Sequence, residues 1–181
     1  MTGDALVPAP DEQRLAELAE QLLARARYLR LTIAVAESLT GGQLAAQLTA
    51  VPGASAVFRG SVTAYATDLK AAVLGVDAVL LDQMGAVHAE VARQMAAGVR
   101  RVCRADIGIA TTGVAGPRPQ DGQPVGTVFV AVADQGTVES EQCRFGLGDG
   151  LPAQERARIQ RLSVAAGLQL TLRHLGMRTR S

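Results

Sequence analysis

Ser38 stands in Glu37-Ser-Leu-Thr-Gly-Gly42, directly after the apolar run Leu31-Thr-Ile-Ala-Val-Ala36. A hydroxyl there has two possible uses. It can cap the helix that follows, the common use of Ser or Thr at a helix start. It can also attack an electrophile held against backbone N–H groups. Tyr65 and Lys70 flank a second strand-to-helix junction. Singly they read as a sheet-edge Tyr and a solvated Lys. Beside Ser38 they could handle protons, since a Lys amine kept neutral by desolvation or neighbouring cations activates a Ser without a His. Thr111-Thr-Gly-Val-Ala-Gly-Pro117 is a third strand running into small residues, either a plain turn or backbone close to a ligand. Together the three segments suggest covalent acyl transfer.

Other signatures fail. There is no G-x-x-x-x-G-K-[ST] phosphate loop, and Gly146, Gly148 and Gly150 lack the final spacing of a dinucleotide fingerprint. Gly53 and Ser55 form half of a nucleophile elbow, with Val57 where its second Gly belongs. His88-Ala-Glu90 has the H-x-E order of zinc deaminases but no following P-C-x-x-C. No metal and no cofactor is expected, because no His, Cys or carboxylate group has ligand spacing. His88 reads as a helix-start residue, and His174 as a complement to a helix C-terminus.

Three strands must deliver these residues to one place. Asp11 opens an amphipathic helix through Leu15, Leu18, Leu22 and Leu29. Strands are predicted at 31–36, 58–66 and 106–112, and a hairpin at 127–133 and 137–145 across Asp134-Gln135-Gly136. Helices are predicted around Leu44 and Leu48, after a Thr67 or Asp68 cap, at 77–84, at 88–103 and at 154–175. This order predicts a three-layer α/β/α sandwich with a mixed, mostly parallel central sheet. One domain is expected over residues 11–176, between a flexible leader at 1–10 and a tail at 177–181. In such a fold, ligands favour the crevice beyond the strand ends.

Composition narrows the function classes. Lys and Arg number 18 against 17 Asp and Glu, a net charge of +1, so no concentrated cation excess for nucleic acid is present. Aromatics are 3% of the 181 residues, too few for base-stacking platforms, and the 48% hydrophobic content must build its core from Ala, Val, Leu and Ile. Cys103 and Cys143 do not make a disulfide scaffold, which fits a cytoplasmic protein. The uncharged stretch 38–58 is broken by polar residues, Gly and Pro, so no membrane association is expected.

Glu37-Ser-Leu-Thr-Gly-Gly42, Tyr65 with Lys70, Gly85-Ala-Val87, Thr112-Gly-Val-Ala-Gly-Pro117 and Pro124-Val-Gly-Thr127 occur in this order. In that order and approximate spacing, from about residue 12 to 175, the chain resembles the CinA C-terminal family, the nicotinamide mononucleotide amidohydrolases. The resemblance implies hydrolysis of the nicotinamide mononucleotide carboxamide to nicotinate mononucleotide and ammonia, in pyridine nucleotide recycling. It implies Ser38 as nucleophile with Tyr65 and Lys70 as partners, and Thr112 and Gly113 on the ligand-facing loop. Glu37, Thr40, Gly41 and Gly42 are expected at the substrate, with Thr40 to Gly42 or Gly113 supplying oxyanion N–H groups. Arg156 and Arg161 are expected at its phosphate, because a guanidinium fork suits that group. A homo-oligomer binding a small nucleotide is expected. The alternative is a non-catalytic nucleotide-binding or competence- and DNA-damage-associated regulatory module. The chain departs from the family pattern at Leu39, Ala66-Thr67, His88, Arg118 (where Asp is usual) and Gly148-Asp-Gly150.

Overall fold

A computed structural model describes residues 7–177. Most of the expected leader and tail, residues 1–6 and 178–181, lies outside the described residues. Val7, just before Pro8, is tied to the domain, its carbonyl accepting from Arg158 Nη1 at 2.6 Å.

The element order is α1 (Glu12–Leu29), β1 (Ile33–Glu37), α2 (Gln43–Thr49), a 3-10 turn (Ala54–Ala56), β2 (Phe58–Thr63), α3 (Thr67–Leu74), α4 (Ala78–Met84), α5 (Ala89–Val102), β3 (Ile107–Gly113), β4 (Thr127–Ala133), β5 (Val138–Arg144) and α6 (Pro152–Gly176). The sheet order is β2-β1-β3-β4-β5. β1 pairs parallel with β2 and β3, while β4 runs antiparallel to both β3 and β5. Four of the five strands therefore point the same way, giving the mixed, mostly parallel sheet. α1, α2 and α6 cover one face, and α3, α4 and α5 the other.

The two faces differ in bulk because side chains alternate along each strand. Ile33, Val35, Ile107, Ile109, Val128, Val130 and Val132 pack with the α1/α6 layer. Ala34, Ala36, Ala110, Ala131 and Ala133 face α5. This small-residue face lets α5 sit close to the strands, and at Gly108 a Cβ would overlap the Ala96 carbonyl of α5. A nearly aromatic-free chain thus fills its interior by bringing backbones together.

Two local expectations are corrected. α3 starts behind Ala66 with no side-chain cap, and Thr67 and Asp68 lie inside its first turn. His174 does more than complement a helix end: it is buried, with Nδ1 2.6 Å from Glu139 and Nε2 2.9 Å from Asp134. The long closing helix carries it onto the β4–β5 hairpin, a contact 35 to 40 residues away in sequence. His88 does cap α5, its Nδ1 accepting from the Glu90 N–H at 3.2 Å.

Candidate active site

The topology chooses the site. From β1 the chain crosses through α2 to β2 on one side, then through α3, α4 and α5 on the opposite face to β3 on the other side. β1 and β3 thus flank a topological switch point, where the crevice beyond the strand ends is open. Their register pairs Glu37 with Thr111, and Glu37 with Thr63 of β2, so Ser38, Tyr65 and Gly113 all emerge at the C-terminal ends of these parallel strands. A cleft of about 90 Å³ lies there, and Ser38, Tyr65, Gly113, Arg118, Gln120 and Arg156 line it.

Ser38 is half-buried, and its N–H donates to the Thr111 carbonyl at 3.0 Å. Neither Ser38 nor Thr40 caps α2; Gly42 holds the N-cap position without a side-chain bond. The exposed helix-start donors go to Glu37 instead. Its carboxylate accepts from the N–H groups of Gly42 (3.0 Å), Leu44 (3.0 Å) and Ala45 (2.9 Å). The capping job is therefore filled from the strand end, and among the described residues the Ser38 hydroxyl has no hydrogen-bond partner.

That arrangement corrects Glu37 as a substrate contact. It is fully buried, and both oxygens are committed within the chain. Thr40 is also buried, with its hydroxyl 2.8 Å from that of Thr111. Thr112 donates to the Ala86 carbonyl at 2.7 Å, so its side chain braces the α4–α5 turn. Gly41 and Gly42 are corrected as oxyanion donors, because their N–H groups go to the Ser38 carbonyl and to Glu37. Among the described residues the Ala115 and Gly116 N–H groups have no acceptor, and both residues line the cleft. Sequence reasoning missed that pair; nothing in Val114-Ala-Gly-Pro117 tells which amides a tertiary fold leaves free.

Tyr65 and Lys70 meet through backbone. Lys70 is almost fully buried, and its Nζ donates to the carbonyls of Ala64 at 2.8 Å and Tyr65 at 3.3 Å. Burial lowers the pKa of its amine from 10.5 to about 8, against the pull of the Asp121 and Asp68 carboxylates. No hydrogen bond joins Lys70 to Ser38 among the described residues, and Lys70 is not among the residues that line the cleft. The Tyr65 hydroxyl accepts from Arg156 Nη2 at 2.6 Å, and Arg156 Nη1 donates to the Gly116 carbonyl at 2.7 Å. Arg156 therefore reaches the cleft. Arg161 does not: it faces Glu12 at 3.5 Å on the exposed side of α6. Asp121, also missed, accepts from the Ala86 N–H at 2.6 Å and pins the loop after β3. Among the described residues, no group of three or more His, Cys, Asp or Glu could hold a metal ion, and no helix is long and apolar enough to cross a membrane.

Fold and cleft together define an α/β/α domain with an uncommitted Ser hydroxyl and two arginines at a topological switch point. The model of the CinA C-terminal domain matches residues 15–175, and the chain belongs to that family. It is 49% identical over 144 residues to a CinA-like protein of Frankia casuarinae, covering 80% of this chain and 32% of that one. It is 45% identical over 166 residues to a CinA-like protein of Gloeobacter violaceus, covering 91% of this chain and 37% of that one. The chain thus spans about one third of the length of these relatives. Among solved structures, the competence/damage inducible protein CihA from Agrobacterium tumefaciens aligns at a TM-score of 0.82 and 34% identity, over 95% of this chain and all of that one. The competence damage-inducible protein A from Klebsiella pneumoniae aligns at 0.83 and 30%, over 91% and 99%.

Proposed function

We propose that this chain is an amidohydrolase that converts nicotinamide mononucleotide to nicotinate mononucleotide and ammonia. The observation that carries the reading is the division of labour at β1. Glu37 takes the helix-capping bonds, and the Ser38 hydroxyl next to it is left uncommitted in a cleft lined by cations. Ser38 Oγ attacks the carboxamide carbon, and its proton passes to the neutral Lys70 amine. The oxyanion forms against the free amides of Ala115 and Gly116. Collapse breaks the C–N bond, and Lys70 returns the proton to the departing ammonia. Water then attacks the acyl-Ser38 ester, giving the carboxylate product and restoring the hydroxyl. Tyr65 carries part of the amine's hydrogen bonding on its carbonyl and fixes Arg156 through its hydroxyl.

One observation favours a second reading, a nucleotide-binding module without turnover: Lys70 makes no hydrogen bond to Ser38. In its favour as a base, catalytic contacts are often long before substrate binds. The test is ammonia release from nicotinamide mononucleotide by the purified protein with a chelator present. Stoichiometric ammonia and nicotinate mononucleotide are expected. Binding without ammonia would leave the module reading, and activity lost to the chelator and restored by a divalent metal would remove the Ser-Lys scheme.

A further inference from the structure

Two arginines line the cleft, and they differ in what they can still bind. Arg156 spends one Nη1 donor on the Gly116 carbonyl and one Nη2 donor on the Tyr65 hydroxyl, two of the five N–H donors of its guanidinium. Arg118 is exposed at the same cleft and has no hydrogen-bond or ion-pair partner among the described residues. Among the described residues, no Asp or Glu lines that cleft. Two guanidinium groups in one cleft make its local potential positive, which favours a bound anion.

The segment carrying Arg118 is fastened near its far end. Gln120 and Gln123 exchange backbone bonds of 3.1 and 2.8 Å. Asp121 reaches across to the Ala86 N–H at 2.6 Å, over Gly85, where a Cβ would overlap its carboxylate. The turn that begins two residues after Arg118 is therefore anchored, which lowers the ordering cost of gripping a ligand.

We propose that Arg118 is the specificity-determining residue for the substrate's phosphate monoester, a role that the sequence reading gave to Arg156 and Arg161. The proposal rests on the nucleotide reading above and deepens it. A phosphate monoester presents a planar pair of oxygens to an open guanidinium fork, while an unphosphorylated riboside offers only neutral hydroxyls. Ser38 and the amides of Ala115 and Gly116 then hold the carboxamide end of the same molecule.

The test measures binding with ligands that cannot react. Nicotinate mononucleotide and nicotinate riboside are titrated by calorimetry into wild type, Arg118→Ala and Arg118→Lys, with the melting temperature of each variant as a check on folding. Arg118 is exposed and unpartnered, so the fold is expected to tolerate both changes. Wild type should prefer the nucleotide, and Arg118→Ala should cut that preference by about 10- to 100-fold, the size of a charge-assisted contact. Arg118→Lys should fall between, since it keeps the charge and loses the fork. An unchanged preference, or equal losses on both ligands, would overturn the proposal. Ammonia release by wild type separates the two claims. Release with an unchanged preference removes Arg118 and keeps the amidase; a reduced preference without release keeps Arg118 and removes the amidase.

Discussion

A neutral lysine amine donates two N–H bonds and keeps one lone pair, and at Lys70 the carbonyls of Ala64 and Tyr65 can take both donors. The lone pair is then left to accept a proton. Burial lowers the pKa to about 8, so at pH 7 roughly a tenth of the amine is neutral. A base must be neutral to act, and the neutral fraction grows with pH. The kcat/KM of the wild type should therefore rise roughly tenfold from pH 7 to 9 and level off above about 8. Lys70→Arg should abolish this limb with the activity, because a guanidinium stays protonated. A pH–rate profile checks both, and full activity in Lys70→Arg would remove Lys70 as the base. Stability follows the same proton. The unfolded chain holds it up to about 10.5 and the folded chain releases it near 8, so folding stability should increase with pH between these values. The residue types at this site were legible from Glu37-Ser-Leu-Thr-Gly-Gly42, Tyr65 and Lys70. The commitments of Glu37 and Arg156 were not, because they depend on partners that only the fold supplies.

At the scale of elements, α2 depends on a residue outside it. Glu37 ends β1 and satisfies three N–H groups at the start of a seven-residue helix whose own N-cap is a glycine. Glu37→Ala strands those donors and should cost about 3 kcal/mol or more, read as a lower urea midpoint. Glu37→Gln keeps an acceptor oxygen and should cost less. A loss within about 0.5 kcal/mol for Glu37→Ala would mean water replaces the carboxylate, and the account of a freed Ser38 would fail with it. Strand and helix positions read well from apolar period, as in α1 behind Asp11 and the β4–β5 hairpin. Caps read unevenly: Asp11 and His88 cap α1 and α5, whereas Ser38, Thr40, Thr67 and Asp68 all have capping side chains and none caps the helix beside it. Propensity says which residues can cap, while strand register decides which one is in reach.

For the whole molecule, the Ala and Gly face of the sheet sets how near α5 comes, and α5 leads into β3, whose end forms one wall of the cleft. Gly108→Ala places a methyl against the Ala96 backbone carbonyl, which cannot rotate away as a side chain could. It should cost the upper end of the roughly 1–3 kcal/mol typical of overpacking, and lower the melting temperature accordingly. A neutral result would show that α5 can shift without loss. The layer order was legible in the alternation of helix and strand signals; the opposite-face crossovers that make β1 and β3 the switch point were not, because periodicity does not give handedness or strand order. That crossover brings residues 38, 65, 116 and 156 to one cleft, and the central claim is that Ser38 is the nucleophile there. The direct measurement is single-turnover ammonia release from nicotinamide mononucleotide by wild type and Ser38→Ala, with nucleotide binding measured in parallel. Wild type should release ammonia, and Ser38→Ala should lose nearly all release while binding stays within a few fold, since catalysis by a nucleophile is a transition-state effect. Substantial release by Ser38→Ala would contradict the account and move the attack to another group or to water.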